Sequence, residues 1–404
     1  MTGADLQVKA LSSALAGFEI DVVVSGSIGA VESVRFIRSL RRLGAKVQPW
    51  LTEGGAQFVT PLALSWAADA PVFDRFQSRA QHISSADALV IAPASASLIG
   101  KIAAGITDTP AAALAVSAIG AKKPVIVVPN MHDSLYDSPQ VTANLARLAT
   151  WASVLNPRQD EGKRKFPDPR NLADNVAHAV NHSRQRHSPV LVTLGTTRGY
   201  VDDVRYFSNY SSGKLGTLIA EELYRWGIRT HVIAGPAKYT PQAATLLEHI
   251  ETNEELAQRA EAALAQGCSG LVMAASVLDF IPHRVAAGKL RSTEELKVTF
   301  SKAPKLLGRL NPASALKVGF KLEVGMDRAQ ALVLAQRYMT EYSLSMMVLN
   351  SLEQVDENHH TALIGMRDKG GVRLLPGEFV GKEALAHLIA GHLREGLDGP
   401  GSSL

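Results

Sequence analysis

The sequence contains a single cysteine, Cys268, among its 404 residues. An intramolecular disulfide and a metal site of the CxxC type are therefore both excluded. No apolar run approaches the roughly 18 residues that a membrane-spanning helix requires, and residues 1–17 lack the basic and apolar regions of a signal peptide. These absences predict a soluble, cytoplasmic protein without a membrane partner.

An excess of charge of one sign is also missing, since 42 Lys and Arg stand against 38 Asp and Glu. So small a surplus does not indicate a nucleic-acid-binding surface. Hydrophobic residues make up 46% of the chain and charged residues 20%, which is the composition of a globular protein with a large core. Because the chain is too long for one ordinary core, its length predicts two domains, or three.

The first half of the chain alternates short β-branched runs with helical patterns. A helix is expected over residues 31–43, and strands are expected at 20–24, 46–51, 88–92 and 124–128. This order is typical of a parallel sheet that is covered by helices on both faces. We therefore predict an α/β fold in which ligands bind at the carboxyl ends of the strands.

A charged, proline-containing stretch, RQDEGKRKFPDPRN, begins at Arg158 and leads into a further helical pattern. Residues 181–188 are predicted to link a domain over 18–180 to a second domain over 189–394. The second half also opens with a strand, and its strands are expected at 190–194, 230–234, 270–274, 316–320 and 346–349. Two doubly wound, Rossmann-like domains are therefore predicted.

The segment Ser25-Gly26-Ser27-Ile28-Gly29 lies between the first strand and the first helix. In that position, backbone N–H groups and the helix dipole can bind a phosphate. The glycine spacing does not match GxGxxG, and no acidic residue ends the second strand, so a dinucleotide is disfavoured. Thr52 ends that strand with a hydroxyl, which favours a mononucleotide phosphate. An ordinary tight turn would explain the loop in isolation nearly as well.

Residues 195–216 read GTTRGYVDDVRYFSNYSSGKLG, a long polar string with few apolar residues. A structural loop of that length is uncommon inside a compact domain, so a binding role is favoured. A helix is expected over 217–226, which places Ser211 and Ser212 at a helix N-terminus. We therefore predict an anion site there.

This string resembles the signature GTTRxxxDxVRYxSNxSSGKxG of phosphopantothenate–cysteine ligases. Further motifs follow in that family's order: AASVLDF at 274–280, KLRS at 289–292, KAPKL at 302–306 and GFKLE at 319–323. The resemblance implies catalytic roles for Asn209 and Lys289. It also implies nucleotide or substrate contacts for Arg205, Ser211, Ser212, Gly213, Lys214, Ala275, Ser276, Asp279, Phe320 and Lys321.

The resemblance implies a reaction in two steps. The carboxylate of 4′-phosphopantothenate attacks CTP with release of pyrophosphate, and the amine of L-cysteine then displaces CMP to give 4′-phosphopantothenoylcysteine. Mg²⁺ is implied as well, without identified protein ligands. The segment Phe320-Lys321-Leu322-Glu323 is nearer to the FKLE of eukaryotic ligases, which favour ATP, whereas the flavoprotein-like first half favours CTP. CTP is therefore expected, with ATP as the alternative.

Residues 20–180 resemble flavin-dependent phosphopantothenoylcysteine decarboxylases through SGSIGA at 25–30, LTEGGAQFV at 51–59, APASAS at 92–97 and the pair Gly105 and Asp108. The resemblance implies a flavodoxin-like, FMN-binding domain of the homo-oligomeric flavin-containing cysteine decarboxylase type. His82 stands where that family has its catalytic histidine. FMN contacts are implied for Ser25, Gly26, Ser27, Ile28, Thr52, Ala92, Pro93, Ala94, Ser95 and Asp108.

Two positions depart from the decarboxylase pattern. In PNMHDSL at 129–135, His132 replaces the asparagine that contacts the substrate carboxylate in the family, and an imidazole can still donate a hydrogen bond. The flap that carries a cysteine in the family reads EGKRK at 161–165. Its Lys163 and Lys165 can bind the substrate phosphate, or a lysine can replace the thiol as the acid. A solvated charge run is the equally favoured alternative.

Three hypotheses follow from these patterns. The leading one is a bifunctional enzyme that ligates and then decarboxylates. The second keeps the ligase and treats the first half as an inactive flavin-binding or oligomerising module. The third, from another class, is a flavin-binding regulator or an NAD(P)-type oxidoreductase, and the 195–216 string argues against it. The resemblance also implies a homo-oligomer, with trimeric contacts through the flavin domain and dimeric contacts through the ligase domain.

Overall fold

The computed structural model describes residues 6–76, 83–291, 295–312, 316–355, 360–368 and 370–398. It divides into two compact units, Met1–Gln185 with Arg225–Gly227, and Arg186–Tyr224 with Ile228–Leu404. Within the described ranges, no helix combines the length and the hydrophobicity needed to cross a membrane.

The strands of the first unit form a parallel sheet and a separate hairpin. They are β1 (Glu19–Val24), β2 (Lys46–Leu51), β3 (Ala88–Ala94), β4 (Val125–Pro129), β5 (Ser153–Val154), β6 (Arg158–Asp160) and β7 (Lys163–Lys165). The sheet has the order β2-β1-β3-β4-β5, and β6 pairs with β7 in antiparallel fashion. This is the strand order of flavodoxin-like sheets, and it confirms the predicted α/β class.

The helices of the first unit follow the strands in the expected alternation. They are α1 (Ser33–Arg42), α2 (Pro61–Ala68), α3 (Ala96–Ala104), α4 (Pro110–Gly120), α5 (Asp133–Tyr136), α6 (Pro139–Leu148) and α7 (Pro169–Arg184). A short 3₁₀ helix, Ile28–Glu32, precedes α1, which therefore starts later than predicted. Helix α7 continues through residue 184, into the predicted linker, because no glycine or proline interrupts the chain before Pro189.

Alternating side chains of β1 face two different cores. Val22 and Val24 pack with Phe36 and Val176 on one face of the sheet. Val23 lies on the other face, where residues of α3, α4 and α6 cover it. Because both faces of this parallel strand are covered, its sequence is a continuous run of β-branched residues rather than an alternating pattern.

Asp21 interrupts that apolar run in β1. Its carboxylate accepts hydrogen bonds from Trp50 Nε1, at 2.9 Å, and from the Ser84 hydroxyl. Burial raises the pKa of Asp21, and the hydrogen bonds from Ser84 and Trp50 oppose this rise only in part. In the folded protein the carboxyl group therefore holds its proton to a higher pH than in the unfolded chain.

We expect Asp21→Asn to raise the midpoint of thermal unfolding more at pH 8 than at pH 3. The folded carboxyl has a pKa above the unfolded value of 3.8, so its contribution to stability is complete below pH 3.8 and is lost as pH rises through the folded pKa. Asparagine is neutral and still accepts from Trp50, so it removes that dependence. Melting curves of both proteins across this pH range measure the effect, and an equal shift at both pH values would contradict it.

The second unit has a larger, mixed sheet. Its strands are β8 (Val190–Leu194), β9 (Arg198–Tyr200), β10 (Tyr206–Ser208), β11 (Thr230–Ala234), β12 (Leu246–His249), β13 (Gly270–Met273), β14 (Phe280–Pro282), β15 (Phe300–Lys302), β16 (Leu316–Glu323), β17 (Met346–Val355), β18 (His360–Asp368), β19 (Gly371–Leu374) and β20 (Phe379–Val380). The main sheet has the order β12-β11-β8-β13-β16-β17-β18-β19, and β20 pairs with β18. Two separate antiparallel pairs, β9 with β10 and β14 with β15, lie outside it.

The main sheet is parallel from β12 to β17 and antiparallel beyond. The antiparallel part was not predicted. It arises because only a few residues join β17 to β18 and β18 to β19, too few for the crossover that a parallel pair needs. The helices of this unit are α8 (Lys214–Arg225), α9 (Asn253–Ala265), α10 (Leu306–Arg309), α11 (Arg328–Glu341) and α12 (Lys382–Asp398).

Candidate active sites

The first unit has a cavity of about 1080 Å³ at the carboxyl ends of β1 to β4. Its walls come from the segments that follow these strands and from the chain after the hairpin, at residues 25–29, 52–54, 95–98, 130–132 and 164–169. Strands β1 and β3 are neighbours at the point where the strand order reverses, and sheets of this class bind ligands in that crevice. The volume lies at the upper end of the range for small-molecule sites, roughly 300–1,000 Å³.

Hydrogen bonds of Ser25 connect β1 to β3 at the edge of this crevice. Its hydroxyl donates to Pro93 O at 2.8 Å and accepts from Ser95 N at 2.8 Å. The next residue, Gly26, lies against the loop after β2, because a Cβ there would come within 2.9 Å of the carbonyl carbon of Gly54. The glycine therefore allows the two loops to pack backbone against backbone.

The predicted flavin contacts fall into two groups. Ser25, Gly26, Ser27, Ile28, Thr52 and Ser95 line the cavity. Ala92, Pro93 and Ala94 lie within β3 and do not line it, and Asp108 pairs with Lys101 at 2.9 Å. The hydroxyl of Thr52 is held by the backbone, since it accepts from Gly55 N at 3.1 Å and donates to Val24 O at 3.3 Å.

His132 lines the cavity and caps the short helix α5. Its Nδ1 accepts a hydrogen bond from Ser134 N at 3.3 Å. An Nδ1 atom that accepts carries no proton, so the proton of the neutral ring is on Nε2. His132 therefore offers one N–H donor. The other predicted histidine, His82, lies outside the described residues.

The β6–β7 hairpin is fastened to α5 through Arg164. Its guanidinium donates to Asp133 Oδ1 at 3.2 Å and to Asp137 Oδ2 at 3.0 Å, and it lies 4.4 Å from the centre of the Tyr136 ring. This set of contacts was not predicted. It holds the predicted flap against the helix that His132 caps.

The two lysines of this hairpin differ in their surroundings. Lys165 lines the cavity and pairs with Asp160 at 3.1 Å and with Glu161 at 2.8 Å. Hydrogen bonds to Glu161 and Asp160 raise the pKa of Lys165. Lys163 is exposed, and its side chain makes no ion pair or hydrogen bond with any residue that the structure describes. Its charge is therefore less compensated than that of Lys165.

In the second unit, the buried carboxylate of Asp202 holds two loops together. Its Oδ1 accepts from Val204 N at 2.8 Å and from Arg205 N at 2.6 Å, and its Oδ2 accepts from Leu290 N at 3.1 Å. Arg205 Nη1 also donates to Oδ2, at 2.5 Å. Burial alone would raise the pKa of Asp202, but the hydrogen bonds from these backbone and guanidinium groups lower it to about 2.

Lys289 is presented by the second of these loops. On one side of it, Gly288 N donates to Asp203 Oδ2 at 2.9 Å. On the other side, Leu290 N donates to Asp202, and Leu290 O accepts from Arg205 Nη1 at 3.2 Å. The Lys289 side chain is exposed and bonds to no described residue. The backbone is thus fixed on both sides of an ammonium group that remains available.

We expect Asp202→Asn to lower kcat/KM for ligation by at least about tenfold, because an amide nitrogen in place of either oxygen leaves two of these donors without an acceptor. Its stability cost is expected to depend on pH. The folded pKa of about 2 lies below the unfolded value of 3.8, so the carboxylate stabilises the fold above pH 3.8 and loses this effect as pH falls through 2. The difference in melting temperature between the two proteins should shrink across that window. An unchanged difference would contradict this account.

The end of the 195–216 string lies beside the carboxyl ends of β8 and β13. Ser208 Oγ donates to Thr197 O at 2.8 Å, and Asn209 Nδ2 donates to Val277 O at 3.2 Å. Helix α8 begins five residues later, and its first turn follows Ser211 and Ser212, whose hydroxyls accept from Gly213 N at 3.3 Å and Lys214 N at 3.4 Å. The predicted anion site is therefore at a helix N-terminus, and the helix begins three residues earlier than expected.

The other ligase-like motifs meet in pairs. Asp279 pairs with Lys305 at 2.5 Å, which joins AASVLDF to KAPKL. Ala275 N donates to Thr193 Oγ1 at 3.3 Å, and Ser276 pairs with Thr196 in a parallel bridge. Phe320 and Lys321 lie in the last half of β16, where Lys321 pairs with Glu323 at 3.1 Å.

Two family models match the chain. The Flavoprotein model matches residues 8–181, and the model described as DNA/pantothenate metabolism flavoprotein C-terminal domain matches residues 185–396. Among solved structures, the C-terminal domain of a coenzyme A biosynthesis bifunctional protein CoaBC is 23% identical and has a TM-score of 0.42, over 52% of this chain and 96% of that one.

Curated relatives cover both halves of the chain. The coenzyme A biosynthesis bifunctional protein CoaBC of Thermococcus kodakarensis is 32% identical over 88% of this chain and 90% of that protein. The CoaBC protein of Escherichia coli K12 is 30% identical over 76% of this chain and 81% of its own length. The chain belongs to the family of coenzyme A biosynthesis bifunctional proteins, in which a phosphopantothenoylcysteine decarboxylase domain precedes a phosphopantothenate–cysteine ligase domain.

Proposed function

We propose that the second unit joins 4′-phosphopantothenate to L-cysteine through an acyl-cytidylate, and that the first unit decarboxylates the resulting 4′-phosphopantothenoylcysteine with FMN. The ligase assignment is supported mainly by the Asp202 carboxylate, whose hydrogen bonds connect the 195–216 string to the Lys289 loop. One buried group thereby fixes the backbone of both segments that we assign to phosphate binding.

In the ligase reaction, a carboxylate oxygen of 4′-phosphopantothenate attacks the α-phosphorus of CTP, and pyrophosphate leaves. Lys289 stabilises the charge that gathers on the departing phosphates. The N-terminus of α8, with Ser211, Ser212, Gly213 and Lys214, binds a phosphate through backbone N–H groups and the helix dipole. Mg²⁺, bound together with the triphosphate, would neutralise part of the charge that develops on it.

In the second step, the cysteine amine attacks the acyl carbon, and CMP leaves. Asn209 has one amide N–H bound to Val277 O, so its second N–H is left to donate to the acyl phosphate. CTP is the expected nucleotide and ATP the alternative. The base is assigned to contacts with Ala275, Ser276, Asp279, Phe320 and Lys321, which lie after β13 or within β16.

The residues of the first unit fit FMN. The cavity has the volume of a cofactor site, lies at the switch point of a flavodoxin-like sheet and is lined by glycines and hydroxyl groups at residues 25–29, 52–54 and 95–98. When bound, FMN supplies the reversible two-electron chemistry through which the cysteinyl group loses its carboxylate as CO₂. His132 donates from Nε2 to that carboxylate and orients it. Lys163 and Lys165 attract the substrate phosphate, and Arg164 holds their hairpin in place.

We propose that the chain assembles through both units, as a trimer through the first and a dimer through the second. Exposed apolar side chains support this. Ile28 is 69% exposed and Leu62 is 80% exposed in the first unit. In the second unit, Tyr210 is 94% exposed, and the half-exposed rings of Phe207 and Phe300 meet with their centres 5.2 Å apart. A contact with a second copy of the chain would remove such side chains from water.

The proposal is tested by supplying the purified chain with the substrates of each reaction separately. With 4′-phosphopantothenate, L-cysteine and Mg²⁺, we expect pyrophosphate release when CTP is added, and slower release when ATP is added instead. With added 4′-phosphopantothenoylcysteine alone, CO₂ release and a flavin absorption spectrum are expected. Flavin binding without CO₂ release would support the second hypothesis, a ligase with an inactive first half. No pyrophosphate with either nucleotide would refute the ligase assignment.

A further inference from the structure

Asn130, directly after β4, places its carboxamide against the loop after β1. Its Oδ1 accepts a hydrogen bond from Gly29 N at 3.0 Å and another from the Ser27 hydroxyl. Since a backbone N–H can only donate, the atom beside Gly29 N is the amide oxygen, and the orientation of the carboxamide is settled. Asn130 is 6% exposed and Ser27 is 9% exposed, so this network is buried.

The glycine at position 29 makes this contact possible. A Cβ there would lie 2.6 Å from Asn130 Oδ1 and 3.0 Å from Phe166 Cδ2. A side chain at this position would therefore displace the carboxamide, the aromatic ring or both. Gly29 therefore leaves the space that the carboxamide of Asn130 occupies, although about a hundred residues separate the two along the chain.

The nitrogen end of the carboxamide is accessible. Asn130 is one of the residues that line the cavity, and its Nδ2 is not buried without a partner. Within the described part of the chain, Nδ2 donates to no other group. With Oδ1 held by the loop, the two N–H bonds of Nδ2 are the donors that this side chain offers to a ligand.

The hydrogen bonds to Asn130 also change which donors of the β1 loop are available to an anion. Gly29 N–H and the Ser27 hydroxyl are donors of the kind that binds phosphate, but both are used by Asn130 Oδ1. We propose that Asn130 is a cofactor-binding residue that replaces these two donors with its own Nδ2, which donates to the phosphate of FMN. The inference rests on the proposed flavin function of the first unit.

The test compares two probes, FMN and riboflavin, which differ by the phosphate. Asn130→Asp keeps the acceptor for Gly29 and Ser27, removes the N–H donors and adds a negative charge beside the cavity. We expect the dissociation constant for FMN, measured by flavin fluorescence titration of the flavin-free chain, to rise by at least about tenfold. The constant for riboflavin should change by less than about twofold, because riboflavin has no phosphate to contact.

Two further variants make the result decisive. Asn144→Asp introduces the same charge on α6, away from the cavity walls, and is expected to leave both constants unchanged. Asn130→Ala frees Ser27 and Gly29. If Asn130 only occupied the phosphate position, this variant would bind FMN more tightly than wild type, whereas the proposal expects weaker binding. Thermal unfolding of each variant verifies that it is folded.

An unchanged FMN constant in Asn130→Asp, or tighter binding in Asn130→Ala, would overturn the inference. An equal loss for riboflavin would also overturn it, since the contact would then not be to the phosphate. A wild-type chain that binds neither flavin would instead overturn the flavin function itself, and the inference with it.

Discussion

Replacing Lys289 with methionine is expected to lower kcat/KM for ligation by at least about a hundredfold. Methionine keeps the length and the apolar stem of the side chain and removes only the ammonium group. The hydrogen bonds of Gly288 and Leu290 to Asp203 and Asp202 involve backbone atoms, so the loop keeps its conformation. The loss should therefore appear in kcat with the fold intact. Initial rates of pyrophosphate release measure it.

The control for this variant is Lys297→Met. Lys297 is also exposed, lies in the same unit and bonds to no described residue. Its replacement tests whether any loss follows from a lower overall positive charge, and we expect less than about a twofold change. Decarboxylation of added 4′-phosphopantothenoylcysteine by Lys289→Met should equal that of wild type. A loss below about fivefold in ligation would contradict the role given to Lys289.

Replacing His132 with leucine is expected to lower the rate of decarboxylation by at least about a hundredfold, and to leave ligation unchanged. Leucine removes the Nε2–H donor from the cavity wall. His132→Asn, in contrast, restores the family's amide, which can donate to the same carboxylate, and should retain activity within about tenfold of wild type. CO₂ release from 4′-phosphopantothenoylcysteine measures both variants.

His132→Leu also removes the N-cap of α5, so a second variant must show that the loss of activity does not come from a less stable helix. Ser138→Ala removes the N-cap of α6, where the serine hydroxyl accepts from Val141 N at 3.4 Å, and Ser138 does not line the cavity. Both variants should lose about 1 kcal/mol of stability, and only His132→Leu should lose decarboxylation. Equal activity in His132→Leu and wild type would show that the imidazole does not contact the substrate.

The sequence predicted the buried parallel strands closely. Strands β2, β8 and β11 have the predicted bounds. In β8 and β11 a buried run rich in β-branched residues stands between turn residues, and such a run depends little on its partners. The short strands β9, β10, β14 and β15 were not predicted. They consist of three residues each, and most of their side chains are partly buried or exposed, so they form only because a partner strand is present.

The sequence also identified the motifs of the ligase site, but not how they are held. Lys289 and Asn209 are found by their motifs, whereas the clamp at Asp202 depends on a contact to Leu290, 88 positions along the chain. A local signal for Asp202 did exist, because an aspartate that accepts from the N–H groups two and three residues ahead is a common turn.

Asn130 could not have been found from the sequence in the same way. One amide after a strand has no distinguishing pattern, and its contact with Ser27 and Gly29 requires the strand order in which β3 separates β1 from β4. The hairpin at 158–165 shows a similar limit. Its basic composition indicated a phosphate site, but the pairing of Lys165 with Asp160 and Glu161 depends on how the hairpin folds.

We propose that one chain forms the amide bond and then removes the cysteine carboxylate. To test this, the purified chain is supplied with 4′-phosphopantothenate, CTP, Mg²⁺ and L-cysteine labelled at its carboxyl carbon. Labelled CO₂ and pyrophosphate should be released in equal amounts, and 4′-phosphopantetheine should accumulate. Release of pyrophosphate with all of the label retained in 4′-phosphopantothenoylcysteine would contradict it.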